Sequence, residues 1–453
     1  MSDHIRLKKG LDLPISGEAL CKVTKTVCAD VVAVKPGDFR GVVPRLLVKE
    51  GEAVKAGTPL FADKNNPQVV FASPVSGVVD AVVRGDKRKL LAVTVKSDGQ
   101  GEAIHHEVPS LDRIDRDGAV KLLLESGVWP CIKQRPYGIV ADPAATPKAI
   151  FISAMPTAPL SADLDFTLAR DFEAVQAGVS LLGKLTKGGV HLSLSRSNFA
   201  GSDFHKLSGV ILHTFEGPHP AGNVGVQINH ISPINKGDVV WTVDLFLVAV
   251  IGRLVTKGIY DPSRTIAVAG PAAKNPSYVE VPCGVSMKEL AEYFDASKGD
   301  VRVISGDVLS GENVGPEGFL GFYSNLVSLV PEGNYHEMFG WCKPFRLHKF
   351  SFSRSYWSWL CPKDKKYDMD TNLNGGPRAF VVSDTYGKVL PMDIYPVYLF
   401  KAILTGDIEK MEQLGIYEII EEDVALCEYV DPSKIEIQSI VSKGIDLMIK
   451  EMA

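Results

Sequence analysis

The sequence predicts a multidomain α/β protein: a small all-β sandwich over residues 1–105, an α/β unit with a parallel sheet over 106–258, a mixed β unit over 259–330, and a mostly helical region over 331–453. Three observations carry this. The 453 residues exceed what one hydrophobic core usually organises. Short strands broken by Gly and Pro fill the first hundred positions. Strand–helix–strand periodicity then replaces them in the middle of the chain.

In the first unit, residues 45–60 read as a short strand, a turn at Gly51, a single valine step and a second turn at Gly57, with more strand at 73–79 and 90–95. The order V-x-E-G-x-x-V-x-x-G-x-x-L followed by P-V-S-G-x-V resembles the barrel-sandwich hybrid of biotinyl and lipoyl carrier domains. Such carriers present a modified lysine on a hairpin tip, and Lys64 lies between the two halves. Asn65, Asn66 and Pro67 lengthen that turn, where a lysine is ordinarily a solvated charge. The modification state of Lys64 therefore stays open, the unmodified reading being favoured.

The second unit is Rossmann-like. Residues 149–154 form an apolar strand, and Phe172, Val175, Val179, Leu182 and Leu185 place one apolar face on a helix over 170–187. Gly188 and Gly189 can supply its left-handed stop. Strands at 190–195 and 209–215 follow, a succession that favours a parallel sheet with right-handed crossovers. Residues 239–255 are the longest apolar run, interrupted by Asp244 and Arg253. A membrane span needs about 20 predominantly apolar residues, so a buried strand followed by a core helix is expected instead.

In the third unit, strands at 265–269 and 277–281 pair across Gly270-Pro271, and Ser286 and Glu289 form a capping box that opens a short helix to Phe294. With strands at 301–304 and 318–330, the succession resembles a soluble-ligand-binding β-grasp module. Residues 396–415 and 433–452 then carry helical periodicity, separated by acidic residues 418–423.

Composition removes several function classes. Hydrophobic residues at 45% and charged residues at 23% describe a folded globular protein. A net charge of -5 without a long basic block argues against nucleic acid as a partner. The N-terminus lacks the apolar stretch of a secretory signal. Seven dispersed cysteines without a C-x-x-C pair suggest a reducing compartment and argue against a disulfide framework or a closely spaced iron–sulfur motif. No nucleophile elbow, zinc helix or phosphate loop is present, and no acid–base pair stands out as catalytic.

Two stretches draw functional attention. Phe215, Gly217, His219, Gly222, Asn223 and Gly225 belong to a loop that directly follows a strand, at the sheet edge where open α/β folds bind ligands. Its backbone N–H groups could meet an anion or a quinone carbonyl. The spacing is G-x4-G-x2-G rather than the dinucleotide pattern, and Pro218 and Pro220 remove donors, so a rigid interface loop is an equal reading. His213, His219 and His230 lie close in sequence but lack a carboxylate or thiolate at ligand spacing, so local hydrogen bonding is preferred over metal binding. In the second stretch, Phe352, Arg354, Tyr356, Trp357 and Trp359 alternate with serine and lead into lysines. That pattern fits a half-buried strand, or a face that docks a partner or meets lipid headgroups.

Taken along the chain, the segments I-R-L-K-K-G-L-D-L-P-I-S-G at 5–17, R-P-Y-G-I-V-A-D-P at 135–143, P-L-S-A-D at 159–163, G-P-H-P-A-G-N-V-G at 217–225, A-V-I-G-R-L at 249–254, V-L-P-M-D-I at 389–394 and E-E-D-V-A-L-C at 421–427 resemble the A subunits of bacterial Na+-translocating NADH:quinone oxidoreductases. The resemblance implies a peripheral subunit on the cytoplasmic face of the inner membrane, docked on the other members, B to F, of a six-subunit complex. That complex couples NADH oxidation and quinone reduction to Na+ export. It also implies that FMN or FAD, riboflavin, iron–sulfur and quinone sites belong to the other subunits. This chain would then carry no cofactor, metal or catalytic residue of its own, while the 217–225 loop could contribute to quinone binding. One departure is Tyr429-Val-Asp431-Pro-Ser-Lys434, where the resemblance leads one to expect a cysteine near Asp431. The alternative is a stand-alone NADH-binding flavoprotein akin to the complex I flavoprotein subunit; such relatives carry glycine-rich nucleotide loops and clustered cysteines, which this sequence lacks.

Overall fold

Alternating residues of one strand are apolar on both faces at the centre of the molecule: Ile150 and Ile152 join one core cluster and Phe151 joins another. A strand buried on both faces belongs in a parallel sheet covered by helices. The computed structural model describes residues 3–340, 343 and 345–452, and it places this strand in the middle of a seven-stranded sheet. The order is Asp3–Arg6, Val210–Glu216, Val190–Ser195, Ile150–Ser153, Val240–Thr242, Lys133–Arg135 and Ile139–Val140. The first five run parallel, Lys133–Arg135 runs antiparallel to its neighbour Val240–Thr242, and Ile139–Val140 runs antiparallel to Lys133–Arg135.

Helices Phe172–Leu182 and Leu245–Lys257 cover one face. Every residue from Leu245 to Leu254 is buried, so the long apolar run is a strand plus a core helix, as its interruption by Asp244 implies. The two helices touch backbone to backbone. A Cβ on Gly252 would lie 1.6 Å from the carbonyl oxygen of Ala174, and one on Gly178 would lie 2.3 Å from that of Val248. The first helix stops at Leu182, a turn earlier than its periodicity suggests. Gly188 serves the strand entry instead, since a Cβ there would lie 1.8 Å from the Lys148 carbonyl oxygen.

The sandwich consists of a four-stranded sheet (Val31–Val34, Leu90–Ser97, Gly77–Arg84, Ala53–Val54) and a three-stranded one (Pro44–Leu46, Pro59–Asp63, Val70–Ala72). Phe61 and Phe71 stack at 4.6 Å in its core. Lys64 is exposed in the loop between the last two strands, its backbone N–H donating to the Val43 carbonyl. The chain reaches this sandwich only after lacing two others. Asp3–Arg6 is an edge strand of the seven-stranded sheet, and Leu20–Thr26 pairs parallel with Ser277–Val281 at the edge of a six-stranded sheet.

That second sheet contains Glu312–Asn313, Val301–Ser305, Leu326–Pro331, Arg264–Ala269, Ser277–Val281 and Leu20–Thr26, in that order. Ser286 does cap the following helix, a 3-10 segment at Met287–Tyr293, by accepting from the Lys288 N–H. The reciprocal half of the expected capping box does not form. Glu289 instead accepts from the Asp30 N–H, tying the segment to the sandwich.

The remainder begins irregularly and ends in helices Tyr386–Val389, Pro396–Thr405, Ile408–Gln413, Glu421–Val430 and Ile437–Met452. The acidic stretch read as a separator opens the fourth of these, where Glu421, Glu422 and Asp423 suit the positive end of a helix dipole. The period-two aromatic stretch is not a strand. Its serines bond locally, Ser351 Oγ accepting from the Ser355 N–H at 2.9 Å, Arg354 takes a left-handed φ of 58°, and Trp357–Leu360 is a 3-10 turn. Local serine bonds compete with a ladder. Cys342, one of the seven cysteines, lies outside the described residues.

The glycine contact between the two core helices predicts that Gly252→Ala forces them apart, destabilising the chain by about 1–3 kcal/mol or more. A denaturant-midpoint measurement checks this against Gly37→Ala, a glycine outside the left-handed region with open space around it.

Candidate functional site

The loop after Val210–Glu216 sits at the carboxyl end of the parallel sheet, and packing accounts for its glycines. A Cβ on Gly217 would lie 2.7 Å from the Leu7 carbonyl oxygen, and one on Gly222 would lie 2.0 Å from that of Met155. On Gly225 it would enter the space between Arg135 and Asp423, 2.5 Å from atoms of both. Phe215 is fully buried beneath them. Residues 7–12 fasten the loop from outside: the Leu11 N–H donates to the His219 carbonyl, and the His219 N–H donates to Asp12 Oδ1, both at 2.8 Å.

Behind the loop lies a cleft of about 170 Å³, lined by His219, Gly222, Asn223, Ser153, Thr242, Asp244, Asp307, Ser310 and Glu422 among others. Ser153 ends one strand and Thr242 the neighbouring one. From these two strands the chain order runs in opposite directions across the sheet, so the cleft occupies the topological switch point where open α/β sheets bind ligands. Here the crevice is roofed by the chain itself, with 307–310 from the β-grasp unit and 422–425 from the C-terminal region.

Its walls mix apolar side chains such as Val224, Val243 and Leu309 with polar and acidic ones, and two cations pair with carboxylates beside it. Lys133 Nζ meets Asp244 at 3.0 Å and lies 4.7 Å over the Tyr323 ring. Arg135, 1% exposed, meets Glu422 and Asp423 at 2.7 Å each. Burial works against both cations. For Lys133 the carboxylates Asp244 and Glu422 outweigh it, and for Arg135 Asp423 and Glu422 do, so both are held more firmly protonated than usual. Desolvation pushes the Glu422 carboxyl up despite the Arg135 charge beside it. Burial pushes the His219 imidazole down, outweighing the pull of Asp307 and Asp12.

The histidines do not converge. His213 Nε2 pairs with His191 Nδ1 at 2.9 Å, His219 Nδ1 with Thr157 Oγ1 at 3.1 Å, and His230 Nδ1 with the Val226 carbonyl at 2.9 Å. Among the described residues no group of three or more His, Cys, Asp or Glu side chains is placed to hold a metal ion. Asp431, where a cysteine was expected, is buried and accepts from the Ile435 N–H at 2.8 Å. Within the aromatic stretch, Tyr356 is buried and Phe352 half-buried, whereas Arg354, Trp357 and Trp359 are exposed.

Sequence reasoning did not single out Lys133, Arg135, Asp244, Asp307 or Glu422 as site residues. Arg135 and Glu422 stand in family-like segments, but nothing local signals that residues 287 positions apart pair.

This geometry sets two expectations for stability. Arg135→Ala leaves the buried Asp423 carboxylate without its counter-charge, and breaking such a pair costs about 3–5 kcal/mol; chemical denaturation measures it, with Arg135→Lys falling between. His219 has a lowered folded pKa, so it contributes stability above the ordinary histidine value of about 6.5 that is lost as pH falls through that value toward the folded one. The unfolding free energy should drop by up to ~1.4 kcal/mol per pH unit in that window, and His219→Gln should flatten the slope.

Comparison with known proteins agrees along the whole chain. Family models described as the NqrA N-terminal barrel-sandwich hybrid domain, the NqrA second alpha/beta domain and the NQRA C-terminal domain match residues 5–98, 114–260 and 265–315. The A subunit of the Na(+)-translocating NADH-quinone reductase of Vibrio atlanticus is 37% identical over 450 residues, covering 99% of this chain and 100% of that protein. The corresponding protein of Serratia proteamaculans is 38% identical over 95% of this chain and 96% of its own length. The barrel-sandwich hybrid and α/β readings of the sequence are thereby borne out. The alternative of a stand-alone flavoprotein is not favoured. With relatives at this identity over nearly every residue, the chain belongs to the family of A subunits of the Na+-translocating NADH-quinone reductases.

Proposed function

We propose that this chain acts as the peripheral A subunit of a Na+-translocating NADH:quinone reductase, a complex that couples NADH oxidation and quinone reduction to Na+ export. The observation that carries the reading is the full-length match, 99% of this chain against 100% of a relative that bears this name. Among the described residues no helix is long and apolar enough to cross a membrane, so attachment runs through partners or through the surface of the chain. We place it on the cytoplasmic face, bound to the membrane and flavin-bearing members B to F of the complex.

Within the complex the chain is a docking subunit without a redox cofactor of its own; NADH, flavins, iron–sulfur and quinone chemistry belong to the other subunits. Packing accounts for the three loop glycines that could have cradled a phosphate. Loop 217–225 is an internal interface rather than a quinone seat. Its cleft is small, and three carboxylates stand in walls that an apolar quinone ring would have to desolvate. The docking face is the exposed aromatic stretch around Arg354, Trp357 and Trp359, which Phe352 and Tyr356 anchor from beneath.

The test is mild solubilisation of native membranes containing the tagged chain. Five further subunits should copurify, and the chain separated from them should be colourless near the flavin band at about 450 nm. Recovery alone, or with bound flavin, overturns the reading.

A further inference from the structure

Among the described residues, 23 large apolar side chains stand exposed, and 14 of them fall between Tyr335 and Leu404. Their densest part includes Met338, Phe345, Trp359 and Leu360, at 79%, 73%, 53% and 63% exposure. Phe345 and Trp357 meet edge to face with centroids 4.6 Å apart, and the Arg354 guanidinium lies 5.9 Å over the Trp359 ring, so the separate turns form one surface. Soluble monomers rarely expose apolar area so concentrated, and where they do it marks a contact.

Charge indicates the occupant. Residues 334–382 hold eight lysines and arginines against four acidic residues, a net of +4 in a chain whose total is -5. Some of these bases are neutralised internally: Lys343 and Arg346 by Glu337, Lys349 by Asp370 and Lys366 by Glu18. Arg354, Lys363, Lys365 and Arg378 have no acidic partner among the described residues. Lysine is depleted from the cores of protein–protein interfaces. Tryptophan, tyrosine, lysine and arginine together are the composition of a bilayer headgroup zone. Among the described residues of the stretch there is no strand with which a partner could extend a sheet.

We propose that this surface seats the chain on anionic lipid headgroups, with Phe345, Trp357, Trp359 and Leu360 at the acyl boundary and Arg354 and Lys363 facing phosphates. The inference rests on the docking reading above and names anionic lipid as what this face meets.

The experiment uses the isolated full chain with two sets of vesicles, one of phosphatidylcholine mixed with phosphatidylglycerol and one of phosphatidylcholine alone. Sedimentation with the mixed vesicles is expected, weakening as salt shortens the screening length from ~10 Å at 0.1 M toward ~3 Å at 1 M. Arg354→Gln and Lys363→Gln should each reduce binding about fivefold, and Trp357→Ser with Trp359→Ser about tenfold or more. These side chains are exposed, so melting temperatures should not move. The chain has five tryptophans, of which Trp129 and Trp241 are buried, so in a Trp341→Phe background a blue shift of fluorescence on vesicle addition should be lost in Trp357→Phe/Trp359→Phe. Equal binding to neutral vesicles, no binding, or binding indifferent to these substitutions overturns the proposal. If the chain copurifies with its partner subunits yet ignores anionic vesicles, the lipid contact falls and the subunit reading stands.

Discussion

One buried guanidinium decides how the halves of this molecule meet. Arg135 ends the next-to-last strand of the central sheet and reaches the first turn of Glu421–Val430, where Glu422 and Asp423 receive it. Desolvating a charge this fully is unfavourable unless geometry and additional hydrogen bonds compensate. Here the Glu418 carbonyl accepts a further bond at 3.4 Å, and Asp423 also accepts from the Ile420 N–H at 3.0 Å. The acidic turn sits where a helix dipole favours negative charge. Strand end, helix start and ion pair are thus mutually dependent.

The neighbouring elements conform to that junction. Gly225 leaves out a side chain because the Arg135–Asp423 pair occupies its space. Asn223 donates to the Glu422 carbonyl at 3.0 Å and Asn229 to Glu418 at 2.6 Å, so both ends of Val224–Ile231 read the same acidic segment. A fold that elsewhere leaves its switch point open to ligands here closes it with residues 307–310 and 422–425.

How much of this could be read from the sequence depends on how local the responsible physics is. The run at 239–255 was legible because Asp244 stands where a helix N-cap falls, between strand and helix. The parallel sheet was legible from strand–helix–strand spacing. By contrast, Asp3–Arg6 and Leu20–Thr26 pair with strands more than 200 residues away, and no period or turn signal specifies such partners. The aromatic stretch misled because alternation scores side-chain type only. A left-handed Arg354 and serine-to-backbone bonds decide the backbone there. For the loop at 217–225, sequence drew attention to the glycines but not to what they serve: ligand approach and chain approach demand the same missing Cβ.

The cleft itself argues against a dinucleotide at the switch point. Phosphate binding there relies on N–H donors at a helix start and on a positive local field. Pro218 and Pro220 remove two donors, and the Gly222 N–H is already given to Thr157 Oγ1 at 2.9 Å. Asp244, Asp307 and Glu422 line the same space, against the two nearby cations Lys133 and Arg135, which their own carboxylates already engage. A phosphate charge about 4 Å from one such carboxylate would meet a repulsion on the order of 4 kcal/mol at a surface-like dielectric. The position that would hold a nucleotide in an open α/β sheet is therefore electrostatically set against one, and one of the residues that set it so, Glu422, also fastens the C-terminal region through Arg135.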